Sequence, residues 1–215
     1  MTTLIKTTIF CLAFAIGTGR LSAQGPEGML SQAYTSLEKA TGMGGLMAAD
    51  NQFTVIATKW PNDWAANYYA AYAAIFISFQ ETNTQRKDQL LDQADKYVEK
   101  LSSLRPSNDE GMVLTAYAAY ARYWVDPRNR WQKYLPLMTS NLDMAKKANP
   151  NNPRIYYLEG IPVFNKPATY GGGKDKAKPY FEKAAALFAK QDKGSIAKPY
   201  WGEKDNADYL TKCEQ

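Results

Sequence analysis

The chain is 215 residues long, 45% apolar, with 26 Lys and Arg against 21 Asp and Glu and not one histidine. That length suits a single domain with a substantial core, and the mild positive balance is not the footprint of a nucleic-acid binder. The lack of imidazole excludes Ser-His-Asp and Cys-His nucleophiles, His-ligated zinc and two-His iron sites.

Residues 1–23, ending "GTGRLSA", combine Lys6, an apolar run from about Thr7 to Gly19 and small residues before Gln24. The run is shorter than a membrane span, so it reads as a secretory signal peptide cut after Ala23, although Leu21 suits that site poorly. Cys11 lies too deep in the run to serve as a lipidated residue. Lys6 and Arg20 leave with the signal, which brings the mature chain closer to neutrality, and Cys213 becomes its one cysteine, an unpaired thiol.

Beyond the signal there is almost no strand pattern. Ala, Leu and Tyr recur at three- and four-residue spacing, as in helices packed on one face. Helices are expected at 27–41, 46–59, 62–80, 86–104, 109–124, 131–148, 153–164, 175–190 and 203–213, with caps at Asn62, Ser107 or Asn108, and Asn152 before Pro153. Acidic residues sit in mixed-charge runs such as "ETNTQRKDQLLDQADKYVEK". These read as solvated helix faces rather than as a glycosidase-type carboxylate pair, so no catalytic residue, cofactor or metal is expected.

Pro61, Pro106 and Pro150 recur with a period of about 45 residues, each closing one helix just before the next. Counting back five, eight and twelve from each proline meets Ile56, Phe53, Ala49; Leu101, Val98, Ala94; and Ala145, Leu142, Met138. Counting forward ten meets the small residues Ala71, Ala116 and Gly160. With Ala177, Phe181 and Ala184 in the last unit, this pattern resembles the tetratricopeptide repeat over about residues 27 to 190. The resemblance implies a right-handed all-α solenoid of about four antiparallel helix pairs, each longer than the family's usual unit of about 34 residues. The extra length falls in the helices and in loops such as "QETNTQRKD", "VDPRNRW" and "NKPATYGGGKD".

The last of these loops is not a phosphate-binding loop. Asp175 follows Lys174 where Ser or Thr should stand, and a helix precedes it where a strand should. Its glycines are read as the turn between two helices of one repeat, allowing positive φ and close approach.

The family's first helices line a concave groove. The equivalent positions here are Ala65, Tyr68, Tyr72 and Ile75; Glu110, Val113, Tyr117 and Tyr120; and Arg154, Tyr157, Ile161 and Phe164. Tyr68, Tyr72, Tyr117, Tyr120, Arg154 and Tyr157 are therefore the candidate partner-binding residues. The lysine and asparagine of the family's carboxylate clamp do not occur at these positions, which disfavours that mode. Tyrosine offers a large contact area with a polar tip, so an apolar segment or ligand would suit the groove. The alternating Ala and aromatic residues of "WAANYYAAYAAIF" and "LTAYAAYARYW" suit tight core packing equally well, and both readings stand.

Residues 24–191 form the expected repeat domain and 192–215 a cap on the last repeat's apolar face, anchored by Tyr200 and Trp201. The expected function is a non-catalytic, exported protein-interaction module or scaffold in the periplasm or at the surface of a Gram-negative bacterium. Its partner would be a protein, a peptide or an apolar small ligand, with no nucleic acid and no stable membrane insertion. The alternative is a ligand-binding component of a periplasmic solute transport system, because "KAKPYFEKA" after the glycines is similar to helical-repeat proteins that accompany tripartite transporters. An apolar cavity within the fold would favour that alternative, and a filled core the scaffold.

Overall fold

The computed structural model describes residues 25–215; the expected signal peptide and its cleavage site lie outside the described residues. Among these the chain forms nine α-helices and one short 3-10 turn: α1 (Glu27–Lys39), α2 (Gly42–Lys59), α3 (Trp64–Gln80), α4 (Thr84–Leu104), α5 (Asp109–Val125), α6 (Pro127–Ala148), α7 (Pro153–Asn165), the turn Ala168–Tyr170, α8 (Lys174–Phe188) and α9 (Glu203–Glu214). None of these helices is long and apolar enough to cross a membrane.

Helix starts follow local chemistry. Asp63, Asn83, Asn108, Asp126 and Asn152 each accept a backbone N–H of the following turn through the side chain, satisfying donors that the helix leaves orphaned. Two expectations need correcting. The cap of α3 is Asp63, whose Oδ1 lies 2.8 Å from the Ala66 nitrogen, not Asn62. Helix α6 begins at Pro127 rather than at residue 131, because Asp126 caps it and proline at the first helical position has no N–H to leave unpaired.

Consecutive helices pack as antiparallel pairs, α1 with α2, α3 with α4, α5 with α6 and α7 with α8, and α9 covers α8. The fold is a tetratricopeptide-like all-α solenoid. Ala71, Ala116 and Gly160, the small residues of the repeat register, are all buried. A Cβ on Gly160 would lie 2.6 Å from the Phe181 ring, so no larger residue fits there without displacing the ring. In the glycine loop, a Cβ on Gly172 would lie 2.3 Å from the Lys166 carbonyl oxygen. Gly171 and Gly173, at φ 80° and 101°, reverse the chain into α8.

The chain does not stop at the last pair. Residues 189–202 cross the concave side as an irregular segment, with Ile196 and Trp201 buried. Ser195 donates a 3.3 Å hydrogen bond to Glu27 of α1, so this crossing spans the solenoid from its last pair to its first.

Candidate functional site

The concave side is built from α3, α5 and α7, which supply Tyr72, Phe76 and Phe79; Tyr117, Tyr120 and Trp124; and Tyr157. Their helical spacing aligns the rings along the groove. Trp201 enters between two of them, its ring centroid 4.9 Å from Tyr72 at 25° and 5.3 Å from Tyr117 at 18°. Phe76 stacks beyond Tyr72 (6.0 Å, 29°) and Phe79 beyond Tyr117 (5.3 Å, 27°). The result is a ladder of five rings, Phe76, Tyr72, Trp201, Tyr117 and Phe79, with the central rung supplied by the C-terminal segment.

A buried polar relay holds that rung. The Trp201 indole N–H donates to the Tyr68 hydroxyl at 2.8 Å, and Tyr68 donates to Glu110 at 3.0 Å. Arg154, 0% exposed, donates to the other Glu110 oxygen at 2.9 Å and to Gln191 at 3.3 Å. Gln191 in turn donates to the Pro199 carbonyl at 3.0 Å, tying down the segment that carries Trp201. The guanidinium also lies 5.3 Å from the Trp201 ring. Burial pushes the Glu110 carboxyl up, and Arg154 acts in the opposite direction.

Two chambers flank the ladder. The larger, about 850 Å³, lies between α1, α2, α3 and residues 200–205. Its walls include Tyr34, Leu37, Met43, Leu46, Phe76 and Tyr200, and its charged lining is mixed, Lys193 and Lys204 with Glu38, Glu203 and Asp205. Tyr34 and Tyr200 meet edge to face at 5.1 Å. The smaller, about 320 Å³, lies between α5, α7 and α9 and is bounded by Tyr117, Tyr120, Trp124, Tyr157 and Tyr209. Phe76, Gln80 and Asp205 border both. Desolvation raises the phenols of Tyr34, Tyr72 and Tyr157, and pushes Tyr120 up to about 12, so they remain protonated hydroxyls at neutral pH.

The six residues singled out in the sequence all come to the concave side, but in different roles. Tyr68 and Arg154 are sealed beneath Trp201. Tyr72 edges the larger chamber, while Tyr117, Tyr120 and Tyr157 edge the smaller. Tyr200 and Trp201, expected to anchor a cap on the last repeat, reach further than that: Trp201 meets Tyr157 and Arg154 of α7 but also Tyr72 of α3, and Tyr200 meets Tyr34 of α1. Sequence reasoning missed the contributions of α1, α2 and the C-terminal segment: Tyr34, Met43, Leu46, Lys193 and Lys204. One signal was available, the pair Tyr200-Trp201 held between Pro199 and Gly202 in an otherwise polar stretch.

Solved structures that match this architecture include a haemophore and a tetratricopeptide-repeat protein. The HusA haemophore from Porphyromonas gingivalis shares 32% identity over 93% of this chain and 96% of its own, with a TM-score of 0.74. The chain belongs to the HusA family. TTC0263, a thermophilic tetratricopeptide-repeat protein of Thermus thermophilus, matches at 22% identity over 87% of this chain and 79% of its own, with a TM-score of 0.57, and shows the shared fold. No protein-family model and no curated protein matches the sequence. Neither HusA nor TTC0263 is named for a catalytic activity, and the HusA-like fold presents a helical binding module.

Proposed function

We propose that this chain is a non-catalytic, exported carrier of haem or a closely similar flat tetrapyrrole, held in the larger chamber. The observation that carries the reading is that chamber itself: about 850 Å³, bounded by Tyr34, Tyr72, Phe76, Tyr200 and Trp201, with Lys193 and Lys204 among a mixed charged lining that also includes Glu38, Glu203 and Asp205. A cavity of this size and lining suits a drug-sized or cofactor-sized ligand. A tetrapyrrole presents a wide apolar face to stack on aromatic rings and carboxylates to meet lysines. Membership of a family that includes a haemophore supports the same chemistry. Export rests on the signal-like residues 1–23.

The cargo would be retained by burial and stacking. The sequence contains no histidine to offer imidazole, and the chamber phenols of Tyr34 and Tyr72 are pushed away from the phenolate form. Lys193, paired with Glu203, and Lys204 would set the carboxylate end at the rim. A scaffold that captures peptides in the concave groove is less well supported, because residues 200–201 already occupy its centre.

The test is a titration of the protein from residue 24 onward with haemin, followed by visible absorption and tryptophan quenching. Saturable one-to-one binding is expected. Tyr34→Ala with Tyr200→Ala should weaken it about tenfold, two aromatic contacts' worth, whereas Tyr170→Ala on the exposed turn should not change it. Absence of saturable binding, or equal binding by the double variant, would remove the proposal.

A further inference from the structure

We propose that the edge of the solenoid formed by the turns within each helix pair is a docking surface for the anionic phospholipid headgroups of a membrane, held peripherally and reversibly. Because the pairs are antiparallel, the turns after α1, α3, α5 and α7 fall on one edge and the turns between pairs on the other. The start of α8 and the end of α9 also come to the first edge, where Lys178 and Glu214 join them.

Cations collect on that edge. Lys39, Arg86, Arg128, Lys133, Lys166 and Lys174 lie in its turns or within two helical turns of them. All are exposed, and none makes an ion pair with a described residue. Most carboxylates beside them are already occupied. Glu81 accepts the N–H groups of Thr82 and Asn83, Asp126 holds Asn129, and Asp88 binds Arg122 and Arg130. Glu38, Asp175 and Asp208 are exposed and free, too few to neutralise the cations.

Exposed rings collect there too. Trp131 is 50% exposed, Tyr170 72% and Trp124 39%, and each lies in or within two turns of this edge. On the opposite edge Trp64 is buried and Trp60 half-buried, with Arg105 and Lys59 set over their faces.

Charge and rings together choose the partner. A protein partner would need an apolar centre inside a polar rim. Here Trp131 and Tyr170 stack on no other ring among the described residues and stand among lysines and arginines. Tryptophan and tyrosine beside basic residues suit the headgroup level of a bilayer, where each ring is half apolar and half wet and each cation meets phosphate. The larger chamber reaches the same edge, since Ala40, Gly42 and Met43 of the α1–α2 turn and Gln80 at the end of α3 line it. Docking by this edge would turn the chamber toward the lipid. The docking itself does not rest on the tetrapyrrole reading.

The protein from residue 24 onward, without haemin, is sedimented with vesicles of equimolar phosphatidylglycerol and phosphatidylcholine, and with vesicles of phosphatidylcholine alone. Binding to the anionic vesicles should be at least about tenfold tighter, and should weaken as salt rises to about 0.5 M and screens surface charge. Arg128→Ala with Lys166→Ala should weaken it about twentyfold, a factor of about five per cation. Trp131→Ala with Tyr170→Ala should weaken it about fivefold. These side chains are exposed, so the unfolding midpoints should not move. Lys59→Ala with Lys147→Ala removes the same charge from the opposite edge and should change binding by less than about twofold. No binding to the anionic vesicles, equal binding to the neutral ones, or an equal loss from the opposite-edge variant would overturn the proposal, the last by showing attraction through net charge alone. Haemin titration in solution separates this outcome from the carrier reading, because neither of the first two double variants touches the larger chamber and both should bind haemin as the parent does.

Discussion

Helices α3 and α4 form one pair, yet they differ sharply in burial. Fourteen residues of α3 are buried, on every side of the helix, whereas in the longer α4 only Leu90, Leu91, Ala94, Val98 and Leu101 are, a single stripe. In an open solenoid both helices would keep a wet face, because a repeat buries its apolar side only against its neighbours. The wet face of α3 is missing because residues 189–202 and Trp201 cover it. The concave side of this protein is therefore an interior with two chambers left in it, and the convex side is an ordinary solvated surface.

That contrast is broken most severely at Trp201. Replacing Trp201 with Ala should cost about 3 to 5 kcal/mol in urea unfolding, through the cavity left between both stacking partners and loss of the hydrogen bond to the buried Tyr68 hydroxyl, which keeps only its bond to Glu110. If the loss were below about 1 kcal/mol, the segment would be a loose strap and α3 would not depend on it.

Asp50 sharpens the comparison, because it is a buried carboxyl on α2 with one oxygen unpartnered, held by Gln93. Burial raises it to about 6, above its ordinary value of 3.8. The folded state then binds the extra proton between those values, so stability is highest below about pH 4 for this group and declines as pH rises through 6. The decline amounts to about 2 to 3 kcal/mol, and Asp50→Asn should flatten the stability profile over that window in urea titrations at a series of pH values.

Gly160→Ala tests a close helix contact and should cost about 1 to 3 kcal/mol, since the added methyl meets the Phe181 ring at 2.6 Å. Its thermal midpoint would fall by several degrees. On the solvated side, Lys96→Ala in α4 should change stability by no more than about 0.5 kcal/mol by the same denaturant measurement. A larger effect there would mean that the convex face is covered as well.

Much of this architecture was legible in advance. Helix positions were readable because periodic apolar residues and Asn, Asp and Pro signals act over one or two turns. The pairing was readable because Pro61, Pro106 and Pro150 keep a constant register, with the small residues Ala71, Ala116 and Gly160 falling in it. The shared origin of Tyr68, Tyr72, Tyr117, Tyr120, Arg154 and Tyr157 on one side of the solenoid followed from the same register. Whether those rings were core or groove did not follow, because alternating Ala and Tyr satisfies both environments. Tyr34, Met43 and Leu46 were out of reach for a related reason: the register marks α2 only through Ala49, Phe53 and Ile56, and nothing local ties α1 or the start of α2 to residues 200–205.

Local sequence by itself determined the helices, their pairing into a tetratricopeptide-like solenoid and the lack of any imidazole chemistry, because propensity, capping and composition are properties of a few adjacent residues. Only the tertiary structure decided that the C-terminal segment returns across the groove and that two chambers remain beside Trp201. The contact between Trp201 and Tyr68 joins residues 133 positions apart. A pairing at that distance is selected by shape, stacking and hydrogen-bond satisfaction in the assembled fold, and no spacing rule along the chain encodes it.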